Sequence, residues 1–227
     1  MGKKNPGGAK RRQAVVLLAA LFAIYCAAQL IDGIGWINRV YPGFFVHANL
    51  MVAGNTGRDL GESGTGLGPS IRVLAVNDIP VSDGAEFNDL LQGMSVGQSV
   101  SCLVQDGGRT VEKTVRTRIF SARDFVLLAG TLYVTGLVYL ALGLGIVLSR
   151  PSTRQSIPFV VLCITIGVYF VTAFNFLTDH HFDALVLMAA CFAPASLLHM
   201  GMVFPRQLRA LRTRPWVILL PYAFSTV

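Results

Sequence analysis

Charge-free stretches divide the chain. Four runs lack Asp, Glu, Lys and Arg altogether: Gln13 to Ile31, Phe125 to Ser149, Gln155 to Thr178 and Ala184 to Pro205. Each matches or passes the roughly 18–20 residues that a helix needs to cross about 30 Å of hydrocarbon. Their internal polar positions are few, among them Gln29, Thr131, Thr135, Asn175, Ser196 and His199. The pattern predicts an α-helical transmembrane bundle with spans at 13–33, 125–149, 158–178 and 184–205. A further apolar stretch, Trp216 to Val227, follows basic residues and opens on a Trp at interface depth. It reads as the start of a fifth span, in a protein that continues past this chain.

Residues 34–124 follow a different rhythm and are expected to form a separate α+β domain inserted between the first two spans. Ile71 to Val76 is a short apolar run, so a strand, turned by Asn77-Asp78 and followed by Ile79-Pro80-Val81. Asp83 with Glu86 three residues on forms a capping-box-like pair that opens a helix. Phe87, Leu90, Leu91 and Met94 then fall at i, i+3, i+4 and i+7, one apolar face. Gly97 is placed for a left-handed residue after it. Val100, Cys102 and Val104 alternate with Ser99, Ser101 and Leu103, Asp106-Gly107-Gly108 is a hairpin turn, and Arg109 to Ile119 returns with Val111 and Val115 on one face. The glycine-rich residues 53–69 read as a mobile loop across the domain surface.

Composition narrows the class. Of 227 residues 53% are hydrophobic and only 14% charged, against about 25% charged in soluble domains. A disordered, collagen-like or single soluble chain is excluded. The net charge of +7 is a topology signal. Eleven of the 19 basic residues lie in segments 1–12, 150–157 and 206–215, which hold no acidic residue, and all 12 acidic residues lie between Asp32 and Asp183. This is the positive-inside pattern. It places the N-terminus and those loops in the cytoplasm, and 34–124 and 179–183 outside. The lipid bilayer is therefore the expected partner of the basic segments, and nucleic acid is not. The first apolar run is long for a signal peptide, Cys26-Ala27-Ala28 is a poor cleavage site and bulky Tyr25 spoils a lipobox, so the segment reads as an uncleaved anchor. The four cysteines, Cys26, Cys102, Cys163 and Cys191, form no CxxC pair and no disulfide framework. No metal or other cofactor is expected.

The stretch Gly66-Leu67-Gly68-Pro69-Ser70-Ile71-Arg72-Val73-Leu74-Ala75-Val76-Asn77-Asp78-Ile79-Pro80-Val81 resembles the signature of bacterial PDZ domains, with the helix, glycine turn and hairpin following in that family's order. It departs at Ser70-Ile71-Arg72, where the family has Gly-Asp, and at Asp78, where it has Gly. The resemblance implies an extended peptide added as a strand beside the helix. Phe87, Leu90 and Leu91 would line that groove, and the loop Tyr41-Pro42-Gly43-Phe44 would hold a terminal carboxylate. Pro42 removes one N–H from this loop. The alternative is a purely structural or dimer-forming domain. One span, an outer PDZ-like domain and a multi-span bundle together resemble the sensor half of competence-type sensor histidine kinases. Tyr41-Pro42-Gly43-Phe44, Arg150-Pro151 and the ending Leu197-Leu198-His199-Met200-Gly201-Met202-Val203-Phe204-Pro205 carry that likeness. It implies a multi-pass protein of the bacterial cytoplasmic membrane that receives a peptide or envelope-protein signal and passes it to a kinase core.

Asp179-His180-His181-Phe182-Asp183 is the densest titratable cluster, either a ligand or pH site or ordinary loop polarity. His199, with Pro194, Phe204 and Pro205 on the same span, is a signal-relay candidate or a His satisfied by a neighbour. The stripes Ala19/Ala23/Ala27 and Ala141/Gly145 suit close helix packing within the chain or in a homodimer. Gly61-Glu62-Ser63-Gly64 spells a rhomboid-type string but lies in an outer loop, and no HExxH, P-loop or nucleophile elbow is present, so the residues given hold no catalytic group. A PDZ-bearing membrane protease or its regulator, and an envelope scaffold, are the competing functions.

Overall fold

The computed structural model describes residues 6–55, 67–68, 70–149, 156–204 and 215–225. Its contacts form two units. One comprises Met1–Leu30, Tyr133–Val171 and Ala184–Val227; the other comprises Ile31–Leu132 and Thr172–Asp183.

The first unit is helical. It draws on α1 (Pro6–Ile34), α4 (Thr131–Ser149), α5 (Ser156–Thr172) and α6 (Asp183–Val203). α4 continues from a single turn, α3 (Ala122–Phe125), through a π-helical segment at Val126–Gly130. Among the described residues three helices are long and apolar enough to cross a membrane: Val16–Ile34, Ala122–Ser149 and Asp183–Val203. Large apolar side chains such as Leu17, Ile24, Leu148 and Leu198 are exposed on them, an arrangement that suits lipid better than water. The sequence predicts four spans, yet α5 has 17 residues and stops at Thr172. Beyond it the carbonyl of Asn175 accepts the N–H groups of Thr178, Asp179 and His180 and winds the chain into a compact turn. After residue 214 the chain forms a 3-10 segment (Pro215–Leu219) and a short helix (Leu220–Phe224). The basic loops at 150–155 and 206–214, and Pro205, lie outside the described residues.

α4 and α5 approach each other closely through glycine. A Cβ on Gly136 would lie 2.8 Å from the Gly167 carbonyl oxygen, one on Gly167 would lie 2.6 Å from Leu140, and one on Gly143 would lie 3.0 Å from the Cys163 Cβ. Small residues at such crossings let backbones pack without side-chain thickness. The stripes singled out in the sequence do something else. Gly145 faces open space, while Ala19, Ala23 and Ala141 border an apolar cavity of about 240 Å³ between α1, α4 and α5.

Among the described residues the second unit holds eight short strands. β4 (Arg72–Val76), β5 (Ile79–Pro80), β6 (Ser99–Asp106) and β7 (Arg109–Arg116) form an antiparallel sheet in the order β5-β4-β6-β7. β2 (Phe44–Val46) pairs with β3 (Val52–Asn55), and β1 (Val40–Tyr41) with β8 (Arg118–Ile119). A bridge between Met51 and Arg72 ties the β2–β3 pair to β4. β3 takes up the start of the expected glycine-rich loop; residues 56–66 and 69, including Gly61 to Gly64, are outside the described residues. Both hairpin turns match their chemistry. Asn77-Asp78 and Gly107-Gly108 all adopt positive φ, as a two-residue turn with the twist of its strands requires.

α2 (Gly84–Gln92) is capped by Asp83, whose side chain accepts from Glu86 N–H at 2.9 Å. The reciprocal bond is shifted by one residue: Glu86 accepts from the N–H and hydroxyl of Ser82, each at 2.7 Å. The helix ends at Gln92, so Met94 packs on the core from beyond it. Val100, Cys102 and Val104 face inward as the alternation predicts, and burial pushes the Cys102 thiol up to about 11. The expected long return strand is broken at Thr117, whose hydroxyl donates to the Ser95 carbonyl at 2.6 Å. On β7, the edge strand of its sheet, Val111 is exposed, whereas Val115 is buried.

Phe44, Val73, Val76, Phe87, Leu91 and Val100 are the centre of this core. Phe87→Ala is expected to destabilise the domain by about 3–5 kcal/mol. Hydrogen exchange at β6 and β7 amides in the full chain is the measurement; protection there should fall in step.

Candidate functional site

The sheet unit places α2 beside β2. Phe44 on β2 packs on Phe87 of α2 with ring centroids 5.9 Å apart. At one end Gly84 N–H donates to the Ala48 carbonyl at 3.3 Å. At the other, Gln92 Nε2 donates to the Val40 carbonyl at 3.2 Å. Among the described residues no strand pairs with the second edge of β2. Alternation along β2 sends Phe44 and Val46 into the core and leaves Phe45 and His47 for the opposite side.

That opposite side is covered by Thr172–Asp183, the connection between α5 and α6. Phe174 sits among Trp36, Phe45, Phe120 and Phe125, with ring centroids 5.7–6.4 Å away. Phe176 lies on the His47 ring at 5.1 Å. Asn88 of α2 donates from Nδ2 to the Thr178 carbonyl at 2.7 Å in a buried bond. His180 fits over Gly84, where a Cβ would be 2.5 Å from its Nε2. Gly84 and Asn88, four residues apart, thus form a second face of α2, distinct from the Phe87/Leu91 face.

The four residues of the expected carboxylate loop are buried, with Gly43 at φ +90°. β1–β8 pairing puts Arg118 opposite Tyr41. Its guanidinium lies 5.1 Å from the Tyr41 ring centroid and donates to the Gly43 carbonyl at 3.1 Å. Phe87 and Leu91 are buried in the core, and Leu90 is half-buried against it. The helix residues named from the sequence therefore pack the domain, while the groups at the α2 face are Gly84 and Asn88.

The titratable loop cluster splits in two. Asp179 accepts from Trp36 Nε1 at 3.0 Å and pairs with Arg39 at 3.7 Å. These two and exposed His181 border an open cavity of about 500 Å³ with Ile31, Asp32, Gly35 and Phe182. His180 instead turns inward, its Nδ1 3.4 Å from Asp183 Oδ2. It has φ +60°, a strained value for a non-glycine residue. His47 completes this inward group and was not flagged by the sequence. Its Nδ1, His180 Nε2 and Asp183 Oδ1 are buried without a hydrogen-bond partner among the described residues. No three His, Cys, Asp or Glu groups there are arranged to hold a metal.

In the helical unit, His199 is buried and its Nδ1 lies 3.0 Å from the Tyr222 hydroxyl, with the rings edge to face. Tyr222, absent from the sequence-level candidates, is its partner. α6 runs through Pro194, and Phe204 is exposed at its end.

No family model matches the chain, and no curated protein matches it. Among solved structures, the chain is similar in part to the HtrA-type protease AlgW with a decapeptide, at 23% identity and a TM-score of 0.32, covering 36% of this chain and 30% of that one. A variant of AlgW with a tripeptide gives 23% identity and a TM-score of 0.30, covering 43% and 37%. The chain thus spans about a third of the length of these proteins.

Burial, then the nearby His180, lower the pKa of His47 below its ordinary 6.5, with Asp183 opposing. The unfolded chain therefore takes up this proton first. The contribution is fully present above pH 6.5 and is lost as pH falls below it toward the folded value. In urea titrations of Trp216→Phe, which leaves Trp36 as the fluorescent reporter, domain stability should decline on acidification from pH 7 to 5. His47→Gln should make that profile flatter.

Proposed function

We propose that this chain is the membrane-embedded sensory part of a signalling protein. Its outer domain is PDZ-like and receives a peptide or protein signal. The helices carry the change to a cytoplasmic output, a histidine kinase by the resemblance of the sequence. The order strand, two-residue turn, strand, helix, hairpin supports the domain reading, as does α2 lying beside a β2 edge without a strand partner. Arg118 beside Tyr41-Pro42-Gly43-Phe44 offers a cation for a carboxylate where Pro42 has removed a donor. The distribution of basic residues supports a multi-pass protein of a bacterial cytoplasmic membrane, N-terminus inside and sheet domain outside.

One observation carries the reading. The chain passes between the sheet unit and the helical unit four times, and Thr172–Asp183 belongs to the sheet unit. The domain is thereby tied to the ends of α1, α4, α5 and α6. A scaffold needs a single anchor, whereas a relay needs several helix ends whose constraint changes together.

The test is a fusion of this chain, after residue 227, to the cytoplasmic core of a sensor kinase. Three forms are compared for autophosphorylation in proteoliposomes: wild type, Phe174→Ala, and a deletion of 38–120. Coupling of ordinary strength predicts that each alteration shifts the rate by about fivefold or more. Equal rates in all three would favour the tether.

A further inference from the structure

The α2–β2 face presents chemistry suited to a peptide, and a segment of this same chain already uses it. Asn88 Nδ2 is supplied with a backbone carbonyl, that of Thr178. His47 is supplied with an aromatic ring, that of Phe176. Gly84, lacking a side chain, admits His180 at a distance no Cβ would allow. A backbone acceptor, an aromatic side chain and a close approach over glycine are what an extended ligand brings to a sheet-and-helix face.

The fit is incomplete. His180 is held at φ +60°, and its Nε2 and Asn175 Nδ2 are buried without a hydrogen-bond partner among the described residues. Such groups cost stability that a better-matched ligand would not lose. The segment is thus held strongly by Phe174 at one end and imperfectly from Phe176 to His180.

Resting on the sensory reading above, we propose that Thr172–Asp183 is a resident occupant of the α2–β2 face. The external partner is an extended peptide that displaces its Phe176–His180 part, giving a backbone carbonyl to Asn88 and an aromatic side chain to His47. Tethering sets the competition. A segment joined at both ends acts at an effective concentration of order millimolar. The apparent affinity of an outside peptide falls by the fraction of time the face is free. Displacement frees the linkage between α5 and α6, so occupancy of the face is converted into altered constraint on two helix ends.

The probe is a synthetic, end-blocked peptide with the sequence of residues 172–183, fluorescently labelled and titrated onto the full chain in nanodiscs. Phe176→Ala removes the ring from His47, so it weakens the resident segment and leaves the domain side intact. The labelled peptide should bind this variant about tenfold or more tightly than wild type, as release from self-competition requires. Adding Asn88→Ala should remove the gain. Phe174→Ala, which releases the anchored end of the segment without altering Gly84, Asn88 or His47, is the second variant and should also raise affinity over wild type. Equal affinity for wild type and both variants overturns the proposal. So does failure to bind either variant while β6 and β7 amides keep their exchange protection. The kinase fusion reads coupling between domain and helices, so loss of this proposal leaves its result standing, and indifference of the fusion would remove the reading beneath it.

Discussion

The place of the α5–α6 connection in the sheet unit depends on one packing event, the insertion of Phe174 among Trp36, Phe45, Phe120 and Phe125. These rings come from the chain following α1, from β2, from the residue after β8, from α3 and from the α5–α6 connection. Edge-to-face and stacked pairs contribute about 0.5–1.5 kcal/mol each beyond the area they bury. This second core lies apart from the Phe44/Phe87 core and has a different consequence. The first core makes the domain; the second makes a distant connection part of it. Once Phe174 is fixed, Asn175 turns the chain by accepting three N–H groups, and Thr178 and His180 reach α2.

Placing that connection over β2 and α2 sets the electrostatics of the region. Phe176 and His180 help enclose His47, and burial favours its neutral form. Asp179 remains outside this group, paired with Arg39 and Trp36 Nε1. Five adjacent residues that look like one polar cluster thus divide between a half-buried ion pair with Arg39 and a group around His180.

The elements with strong local signals were legible from residue types alone. Asn77-Asp78 and Gly107-Gly108 made their turns, Asp83 capped its helix, and Val100, Cys102 and Val104 took the inner face of β6. The shortfalls share a cause, which is that tertiary contacts have no local signature. An apolar run through Thr178 reads as one helix, yet Phe174 belongs to the sheet unit and α5 stops at Thr172. Val111 fits the strand alternation but lies beyond the core edge. Gly136 and Gly167 are 31 positions apart in the sequence, so their meeting was invisible, whereas the Ala stripe at helical spacing was conspicuous and borders a cavity instead. Asn88 could have been noticed as the polar residue one turn after Gly84; its partner in the α5–α6 connection could not.

The most direct measurement of the central claim is amide hydrogen exchange across Thr178 to His180 in the full chain in a bilayer. These three N–H groups are bonded to Asn175 within a segment packed into the domain. The account predicts protection well above that of an exposed loop and below that of β6, because the Phe176–His180 part opens from the α2–β2 face while the domain stays folded. Exchange at the rate of an exposed loop, with β6 still protected, would show the connection to be free of the domain and would contradict the account.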